Sequence, residues 1–278
     1  MFSSAIDFHY LCSKKYKLMK NLLLIILLLL LTATPSPAQS KWGRAISGIV
    51  KVSKAMSIDD EEFAEAVKQE VVYLDKKNKV LPASNAYSKR LARLTKGMTD
   101  ADGIELNFKV YATTEVNAFA CPDGSVRVYS ALMDALTDNE LLGVLGHEIG
   151  HVALRHSHKA WRDALLRSAA SDAMGVMSSK WARLSDSSLG SISSAVMSAQ
   201  HSQYHETEAD DYGYDFLVES DKNPWAMAIA FEKLKKLSKQ GSSSRYSKWL
   251  QTFSSHPDFD ARIKRMSQRA EDDGYSKP

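Results

Sequence analysis

The sequence predicts an α+β fold that is predominantly helical, with a small β-sheet beside one central helix. Three observations support this class. Apolar residues recur at helical spacing over most of the chain, a short central stretch alternates as strands do, and a capped apolar helix follows that stretch directly. The 278 residues, 44% hydrophobic and 25% charged, suffice for a folded core and exclude wholesale disorder.

The first segment, residues 1–38, is predicted to be a secretory signal peptide that lies outside the fold. Four lysines precede an apolar run, residues 22–31, and small residues with prolines follow it. A membrane anchor is the alternative, but the run is shorter than the roughly 20 residues that a spanning helix needs. Met19 also resembles a natural start, which would place residues 1–18 upstream of it. We expect one exported domain, residues 39–278.

Charge and cysteine content exclude two further possibilities. Without residues 1–38, which carry four Lys and one Asp, the chain holds 32 basic and 32 acidic residues. No basic run occurs later, so a nucleic-acid partner is not expected. Cys121 is the only cysteine beyond that segment, which excludes an intramolecular disulfide. The turn sequence after Cys121 favours a packed or turn cysteine over a thiol nucleophile.

The elements before the central helix combine helix and strand patterns. Acidic residues followed by apolar residues at helical spacing predict a helix over residues 59–77, and a second helix is expected over 83–96. Alternating β-forming residues predict a strand over 106–113. Two further strands, 117–120 and 125–130, flank the turn Cys-Pro-Asp-Gly and predict a β-hairpin.

Helical patterns dominate the rest of the chain. A short helix over residues 131–136 leads into the central helix. Further helices are expected over 159–183, 223–237 and 249–266. The Ser-rich residues 185–194 interrupt this pattern and are a candidate mobile loop or lid.

The central helix carries the pattern His-Glu-x-x-His. Thr137 and Glu140 predict a capping box at its start. His147 and His151 are four residues apart, so both imidazoles leave the same face one turn apart, as two nitrogen ligands of one Zn²⁺ require. Glu148 lies about 100° round the helix from His147, placed to take a proton from water without being a ligand itself.

Three glycines also lie in this helix, at positions 143, 146 and 150. Each destabilises a helix interior by roughly 1 kcal/mol. Their spacing places them close together on one face, which predicts that another backbone packs closely there.

A catalytic zinc needs three protein ligands and an open position, so a third ligand must lie elsewhere. The chain lacks the third His of the extended zinc-protease pattern and has no glutamate shortly after the motif. His156 and His158 follow at the wrong spacing and are expected to face solvent at the helix end. The first later glutamate is Glu206, which shares a helical face with Asp210, whereas Glu208 points elsewhere.

Glu206 is therefore the candidate carboxylate ligand. Asp210 is placed to accept a hydrogen bond from the far nitrogen of a ligating His, which fixes the tautomer and orientation of that imidazole. The alternative is that residues 206–211 form an acidic, solvated helix face. If Glu206 is not the ligand, the remaining candidates are His201, His205 and His256.

These residues resemble a known family. Gly-His-Glu-Ile-Gly-His-Val-Ala, followed by Glu-x-x-Ala-Asp at residues 206–210, is similar to the metallopeptidases related to the CAAX prenyl proteases. The similarity is closest to their soluble, exported bacterial members, which act in envelope-protein quality control. It covers roughly residues 62–266. Other segments match the family pattern, namely Asn117-Ala-Phe, Ser255-His256-Pro257 and Arg262-Ile263.

The resemblance implies a zincin-like fold of the gluzincin type, with a small sheet beside the active-site helix. It also implies the roles of five residues, with His147, His151 and Glu206 as zinc ligands, Glu148 as catalytic base and Asp210 as support. His256 is a candidate neighbour of the metal, as an oxyanion-stabilising group or a fourth ligand, and equally a loop His before Pro.

We therefore expect a zinc endopeptidase, exported to the periplasm, with a single Zn²⁺ in each chain. The expected substrates are unfolded or misfolded polypeptides, with an association with membrane-envelope proteins. The alternative is a zinc-bound chaperone or binding protein whose peptidase activity is latent or vestigial. The intact Glu148 argues against a vestigial site but is compatible with a closed one.

Overall fold

A computed structural model of the chain describes residues 49–50, 52–53, 56–174, 202–239, 256 and 258–278. These residues fall within one compact unit, Ala45–Pro278. Most of them are helical and a small sheet accompanies the helices, so the predicted α+β class is confirmed. None of the described helices has both the length and the apolar composition that a membrane crossing requires. The predicted signal peptide and Ser-rich loop lie outside the described residues.

After a few helical residues between positions 49 and 57, the described residues form eight helices: α1 (Asp60–Lys77), α2 (Ala86–Leu94), α3 (Ser130–Ala135), α4 (Asp138–Ala153), α5 (His156–Met174), α6 (Gln203–Glu219), α7 (Trp225–Lys239) and α8 (Phe259–Asp272). α2 begins three residues later than predicted, because the Asn85 side chain accepts a hydrogen bond from the Tyr87 backbone N–H at 2.9 Å and caps the helix there. α8 continues six residues beyond the predicted end at Met266.

The strands are β1 (Asp100–Ala101), β2 (Ile104–Glu105), β3 (Asn107–Tyr111), β4 (Ala118–Ala120) and β5 (Ser125–Tyr129). β4 and β5 form the predicted antiparallel hairpin. β3 pairs with β5 in parallel, giving the order β3-β5-β4, in which β4 is an edge strand of the described sheet. The small β1–β2 ribbon was not predicted, because strands of two residues leave no alternation to detect.

Helix α4 is the buried centre of the fold. The predicted capping box is present: the Thr137 backbone N–H donates to Glu140 Oε2 at 3.0 Å, and the Thr137 hydroxyl accepts from the Glu140 N–H at 3.5 Å. All fourteen residues from Glu140 to Ala153 are buried. A helix buried on every side holds its side chains in fixed positions, which suits a site built on its surface.

Another backbone packs closely against the glycine face of α4, as predicted, and it belongs to helix α6; Gly143 also lies against Met227 of α7. A Cβ atom on Gly146 would lie 3.0 Å from the Cα of Gly213 and 2.9 Å from Phe216 Cδ1. On Gly150 it would lie 2.9 Å from Tyr212 Cβ. The glycines therefore allow the two helix backbones to approach closely, which brings side chains from α4 and α6 together.

A partly buried charged group, the Asp75 cluster (Asp75, Lys109, Tyr111 and Arg127), joins α1 to the sheet. Arg127 is only 2% exposed and binds Asp75 through Nε at 2.8 Å and Nη2 at 3.1 Å. Lys109 Nζ and the Tyr111 hydroxyl also donate to Asp75, at 2.7 and 2.6 Å. Burial alone would raise the pKa of Asp75, but the hydrogen bonds from Arg127, Lys109 and Tyr111 lower it to about 2.

Candidate metal centre

Helix α4 presents its two motif histidines side by side. His147 and His151 are 3% and 4% exposed, and their Nε2 atoms lie 3.1 Å apart. The i, i+4 spacing places both rings on the same face, as the sequence predicts.

Helix α6 brings a carboxylate to the same point. Glu206 Oε2 lies 3.6 Å from His147 Nε2, and Oε1 lies 3.4 Å from His151 Nε2. One turn further along α6, Asp210 Oδ1 lies 3.0 Å from His147 Nδ1, the nitrogen that faces away from Glu206. Glu206 and Asp210 are 2% and 0% exposed, which contradicts the alternative of a solvated acidic face at these two positions.

His256 completes the group from a distant part of the chain. Its Nδ1 lies 3.0 Å from Glu206 Oε1 and 3.3 Å from His147 Nε2. Its Nε2 lies 3.8 Å from Glu148 Oε1. His256 is therefore not a loop histidine turned toward solvent.

The donor cluster (His147, His151, Glu206 and His256) fits a bound metal ion. One ligand atom from each residue lies within 4.8 Å of all the others. Among the distances given above, those that join two members of the donor cluster run from 3.0 to 3.6 Å. Tetrahedral zinc with ligands at about 2.0–2.1 Å places neighbouring donor atoms about 3.3–3.4 Å apart, so nitrogen and oxygen donors in this arrangement suit zinc.

Of the alternative third ligands, His205 does not replace Glu206 in the described structure. His205 is not part of the donor cluster and instead stacks on His156, with ring centroids 4.4 Å apart. His201 lies outside the described residues.

Comparison with known proteins agrees with this geometry. A model of peptidase family M48 matches residues 85–270. The chain is 38% identical over 234 residues to the metalloprotease LoiP of Escherichia coli K12, a match that covers 82% of this chain and 88% of LoiP. It is 35% identical over 256 residues to the metalloprotease YcaL of the same organism, covering 90% and 98%. The chain belongs to peptidase family M48.

More distant M48 relatives cover less of the chain. The beta-barrel assembly-enhancing protease of Yersinia pestis is 32% identical over 185 residues, which are 62% of this chain and 36% of that protein. The family match and the nearly full-length similarity to two metalloproteases identify the M48 chain as a metalloendopeptidase. The predicted family and enzyme class are confirmed.

In this M48 chain, the motif glutamate lies beside the donor cluster and outside it. Glu148 is 7% exposed and shares a small cavity of about 20 Å³ with His147, His256, Phe231 and the start of β4. A larger cavity, about 480 Å³, lies beside His151 and is lined by the first turns of α1, the β1–β2 turn and the hairpin turn. The donor cluster borders both cavities, the smaller at His147 and His256 and the larger at His151.

An arginine holds the two carboxylates of α6. Arg262 on α8 donates to Asp210 through Nη2 at 2.6 Å and Nε at 3.0 Å, and its Nη1 lies 2.8 Å from Glu206 Oε2. The sequence matched Arg262 to the family pattern but assigned it no role. A signal was present, since Arg262 lies on the buried stripe of α8 with Met266 and Ala270, where an unpaired charge is not tolerated.

The surrounding charges keep both carboxylates ionised. Burial alone would raise the pKa of Glu206, but the charge of His256, hydrogen bonds from His151 and His256, and the charge of Arg262 hold it far below its usual range. Burial likewise opposes ionisation of Asp210, and the Arg262 charge lowers its pKa to about 2. Burial alone would lower the pKa of His256, but Glu206 raises it. Glu206 therefore offers an ionised carboxylate to the donor cluster.

The prediction that His156 and His158 face solvent is wrong. They are 0% and 6% exposed. The His158 ring stacks on Phe63 with centroids 4.6 Å apart, and its Nδ1 pairs with Asp60. Burial, and then the charge of His205, lower the pKa of His156 to about 4. Spacing from the motif was the wrong criterion, because α5 packs back against α1 and α6 instead of extending α4 into solvent.

Cys121 is packed, as predicted. It is 1% exposed and lies in a core cluster with Phe63 and Trp161. Burial raises the pKa of its thiol, which disfavours the thiolate that a nucleophile requires.

Proposed function

We propose that the protein is a zinc-dependent endopeptidase that hydrolyses unfolded or misfolded polypeptides exported from the cytoplasm. The observation that most supports this proposal is the buried donor cluster with Glu148 beside it. His147, His151 and Glu206 are the proposed ligands, and they leave a fourth position for water, as in catalytic zinc sites.

Zinc held by the donor cluster and the side chains around it would have separate roles in peptide hydrolysis. Bound zinc supplies a Lewis acid that polarises the scissile carbonyl and lowers the pKa of water. Glu148 accepts the proton of the attacking water and returns it to the amine leaving group. Asp210 accepts a hydrogen bond from His147 Nδ1 and so fixes that ring with Nε2 toward the metal. Arg262 neutralises part of the carboxylate charge and holds both acids in place.

The sheet edge beside α4 is the proposed binding place for a polypeptide substrate. The hairpin partner β5 covers only one side of β4, and the start of β4 borders Glu148. An extended substrate segment is proposed to pair with the side of β4 that no other strand of the described residues covers, so that main-chain hydrogen bonds present its peptide bond to Glu148. Such pairing selects for extended conformation instead of a particular sequence, which suits unfolded chains. The larger cavity beside His151 is the proposed place for a substrate side chain.

A latent peptidase is the second candidate, favoured by His256. Its Nδ1 is the fourth member of the donor cluster, 3.0 Å from Glu206 and 3.3 Å from His147. A His in the fourth position closes a zinc site, as structural sites are closed. In this state the protein binds zinc and polypeptide without cleaving.

The test is the zinc content of purified protein together with cleavage of unfolded casein. We expect one zinc in each wild-type chain, and loss of both zinc and cleavage in Glu206→Ala. Asp211→Ala is the matched control, since Asp211 lies on the same helix but pairs with Arg265 and Arg269. A Glu206→Ala protein with full zinc content would overturn the ligand set. Zinc without cleavage in wild type, with cleavage gained in His256→Ala, would favour the latent peptidase.

Export and an association with membrane-envelope proteins are also proposed. The basic segment, apolar run and small-residue segment within residues 1–38 support export. Expression of the full chain in a bacterium, followed by fractionation and mass measurement, is expected to give a periplasmic protein that begins at Gln39. Full-length protein retained in the cytoplasm would contradict export. Recovery of the cleaved protein with the membrane fraction would support the envelope association.

A further inference from the structure

The two motif histidines are supported in different ways. His147 Nδ1 lies 3.0 Å from a carboxylate oxygen of Asp210, so its support is direct. His151 Nδ1 instead lies 3.0 Å from Nδ1 of another imidazole, that of His156. The nitrogen of His151 that faces away from the donor cluster is therefore held by a ring and not by an acid.

The His156 ring connects His151 to a carboxylate on α6. Its Nε2 lies 3.2 Å from Glu208 Oε2. His156 is fully buried, whereas the side chain of Glu208 is 31% exposed. The ring also stacks nearly parallel on His205, with an angle of 15° between the planes, and this stacking fixes its orientation.

The break between α4 and α5 directs His156 to this position. Arg155 adopts a left-handed conformation with φ of 57°, so the chain reverses and α5 begins at His156. The Arg155 guanidinium donates to the backbone carbonyls of Ala153 at 2.8 Å and Asp102 at 3.1 Å. These contacts hold a backbone conformation that is uncommon for a residue other than glycine.

The proton positions along this chain are consistent with a metal at His151. An imidazole that ligates through Nε2 carries its proton on Nδ1. That N–H donates to His156 Nδ1, which leaves the His156 proton on Nε2 to be donated to Glu208. Each hydrogen bond thus has one donor and one acceptor.

We propose that His156 and Glu208 are positioning residues that orient His151 for metal binding, as Asp210 orients His147. The proposal rests on the proposed function, since it takes His151 as a ligand. Helix α6 then supplies one ligand, Glu206, and the terminal carboxylate for each motif histidine. Outer hydrogen-bond partners of ligating histidines typically change metal affinity 10–100-fold, so a measurable effect is expected at about that size.

The experiment measures zinc affinity by competition with a chromogenic chelator for wild type, His156→Phe, Glu208→Ala and Glu208→Gln. We expect affinity about 10–100-fold weaker for His156→Phe and Glu208→Ala. Glu208→Gln retains an acceptor oxygen and is expected to lose less. Since Glu208 is partly exposed, its variants keep the test valid even where His156→Phe does not fold.

His158→Phe is the matched control. It removes a second buried His from the same turn of α5, one that pairs with Asp60 and not with His151. We expect wild-type zinc affinity for this variant. An equal loss in the control would assign the effect to packing of α5 and overturn the proposal.

A spectroscopic measurement separates positioning from stability. In Co²⁺-substituted protein, the visible d–d bands report the ligand field, so they are expected to shift in His156→Phe and Glu208→Ala but not in His158→Phe. Wild-type affinity and bands in both test variants would overturn the proposal while leaving the proposed function intact. Wild-type protein that binds no zinc would overturn both.

Discussion

Two groups of charged side chains in this molecule, one partly buried and one largely buried, satisfy their charges in opposite ways. In the Asp75 cluster, every close contact joins a donor to an acceptor: Arg127, Lys109 and Tyr111 all donate to one carboxylate. In the donor cluster, two imidazole Nε2 atoms lie 3.1 Å apart and both carboxylate oxygens of Glu206 face them. One ligand atom from each of the four residues lies within 4.8 Å of all the others.

The difference shows how a structural ion pair can be told from a metal site. Arg127 also donates through Nη1 to the backbone carbonyls of Asn107 and Val126 and to Asn107 Oδ1, so other groups of the chain hold the guanidinium beside Asp75. The donor cluster instead suits a bound cation, because acceptors that face one another in a buried site repel. The first cluster is therefore expected to govern stability, and the second to govern activity.

The largest expected effect is on cleavage, in a variant that leaves both clusters intact. Glu148→Gln removes the proton acceptor without removing a ligand, so cleavage of casein is expected to fall about 10²–10⁴-fold. Zinc content and melting temperature are expected to match wild type, because neither cluster loses a member. Cleavage at the wild-type rate would show that Glu148 is not the base.

The next largest effect is a loss of stability in a variant that disrupts the Asp75 cluster alone. Asp75→Ala leaves the buried Arg127 guanidinium without its carboxylate, so the free energy of unfolding is expected to fall by about 3–5 kcal/mol. Urea denaturation measures the loss. Asp134→Ala is the control, since that exposed carboxylate accepts only from Tyr87 among the described side chains, and a change below about 1 kcal/mol is expected. Zinc affinity of folded Asp75→Ala is expected to equal that of wild type; a large loss would show that the clusters are coupled.

The sequence predicts those features of the fold and site that depend on residues close together along the chain. Thr137, His147 and His151 lie within one helix, where periodicity decides geometry, so the cap and the shared face were predictable. Glu206 and Asp210 were found as an i, i+4 pair for the same reason.

The parts that were missed depend on tertiary packing. His156 was expected in solvent because the reversal at Arg155 and the packing of α5 leave no periodic signal. Arg262 lies 115 residues from its contact His147, and the parallel pairing of β3 with β5 joins strands that are not adjacent in sequence. Neither spacing nor propensity predicts such contacts.

A smaller effect on stability tests the close contact between helices α4 and α6, which brings the ligands of the donor cluster together. Gly146→Ala places a Cβ atom 3.0 Å from the Gly213 backbone, so α4 and α6 must separate, and we expect a loss of about 1–3 kcal/mol with weaker zinc binding. Gly143→Ala is the control on the same helix. Its Cβ meets the flexible end of Met227, and the better helix propensity of Ala offsets the contact by roughly 1 kcal/mol. Equal stability of the two variants would show that the backbones are not in close contact.

The smallest effect concerns acid and returns to the Asp75 cluster. The pKa of Asp75 is lowered from 3.8 to about 2 in the folded protein. A lowered pKa contributes stability that is full above the unfolded value and is lost as the pH falls toward the folded value. After allowance for solvent screening, this contribution is on the order of 1–2 kcal/mol. Acid also changes stability through other groups of the protein, so the measured quantity is the difference in unfolding free energy between wild type and Asp75→Asn, in which their contributions cancel. The difference is expected to be constant above about pH 5 and to narrow as the pH falls to about 3. A difference that stays constant over this range would show that Asp75 has an ordinary pKa in the folded protein, and that the Asp75 cluster is held together by packing and not by charge.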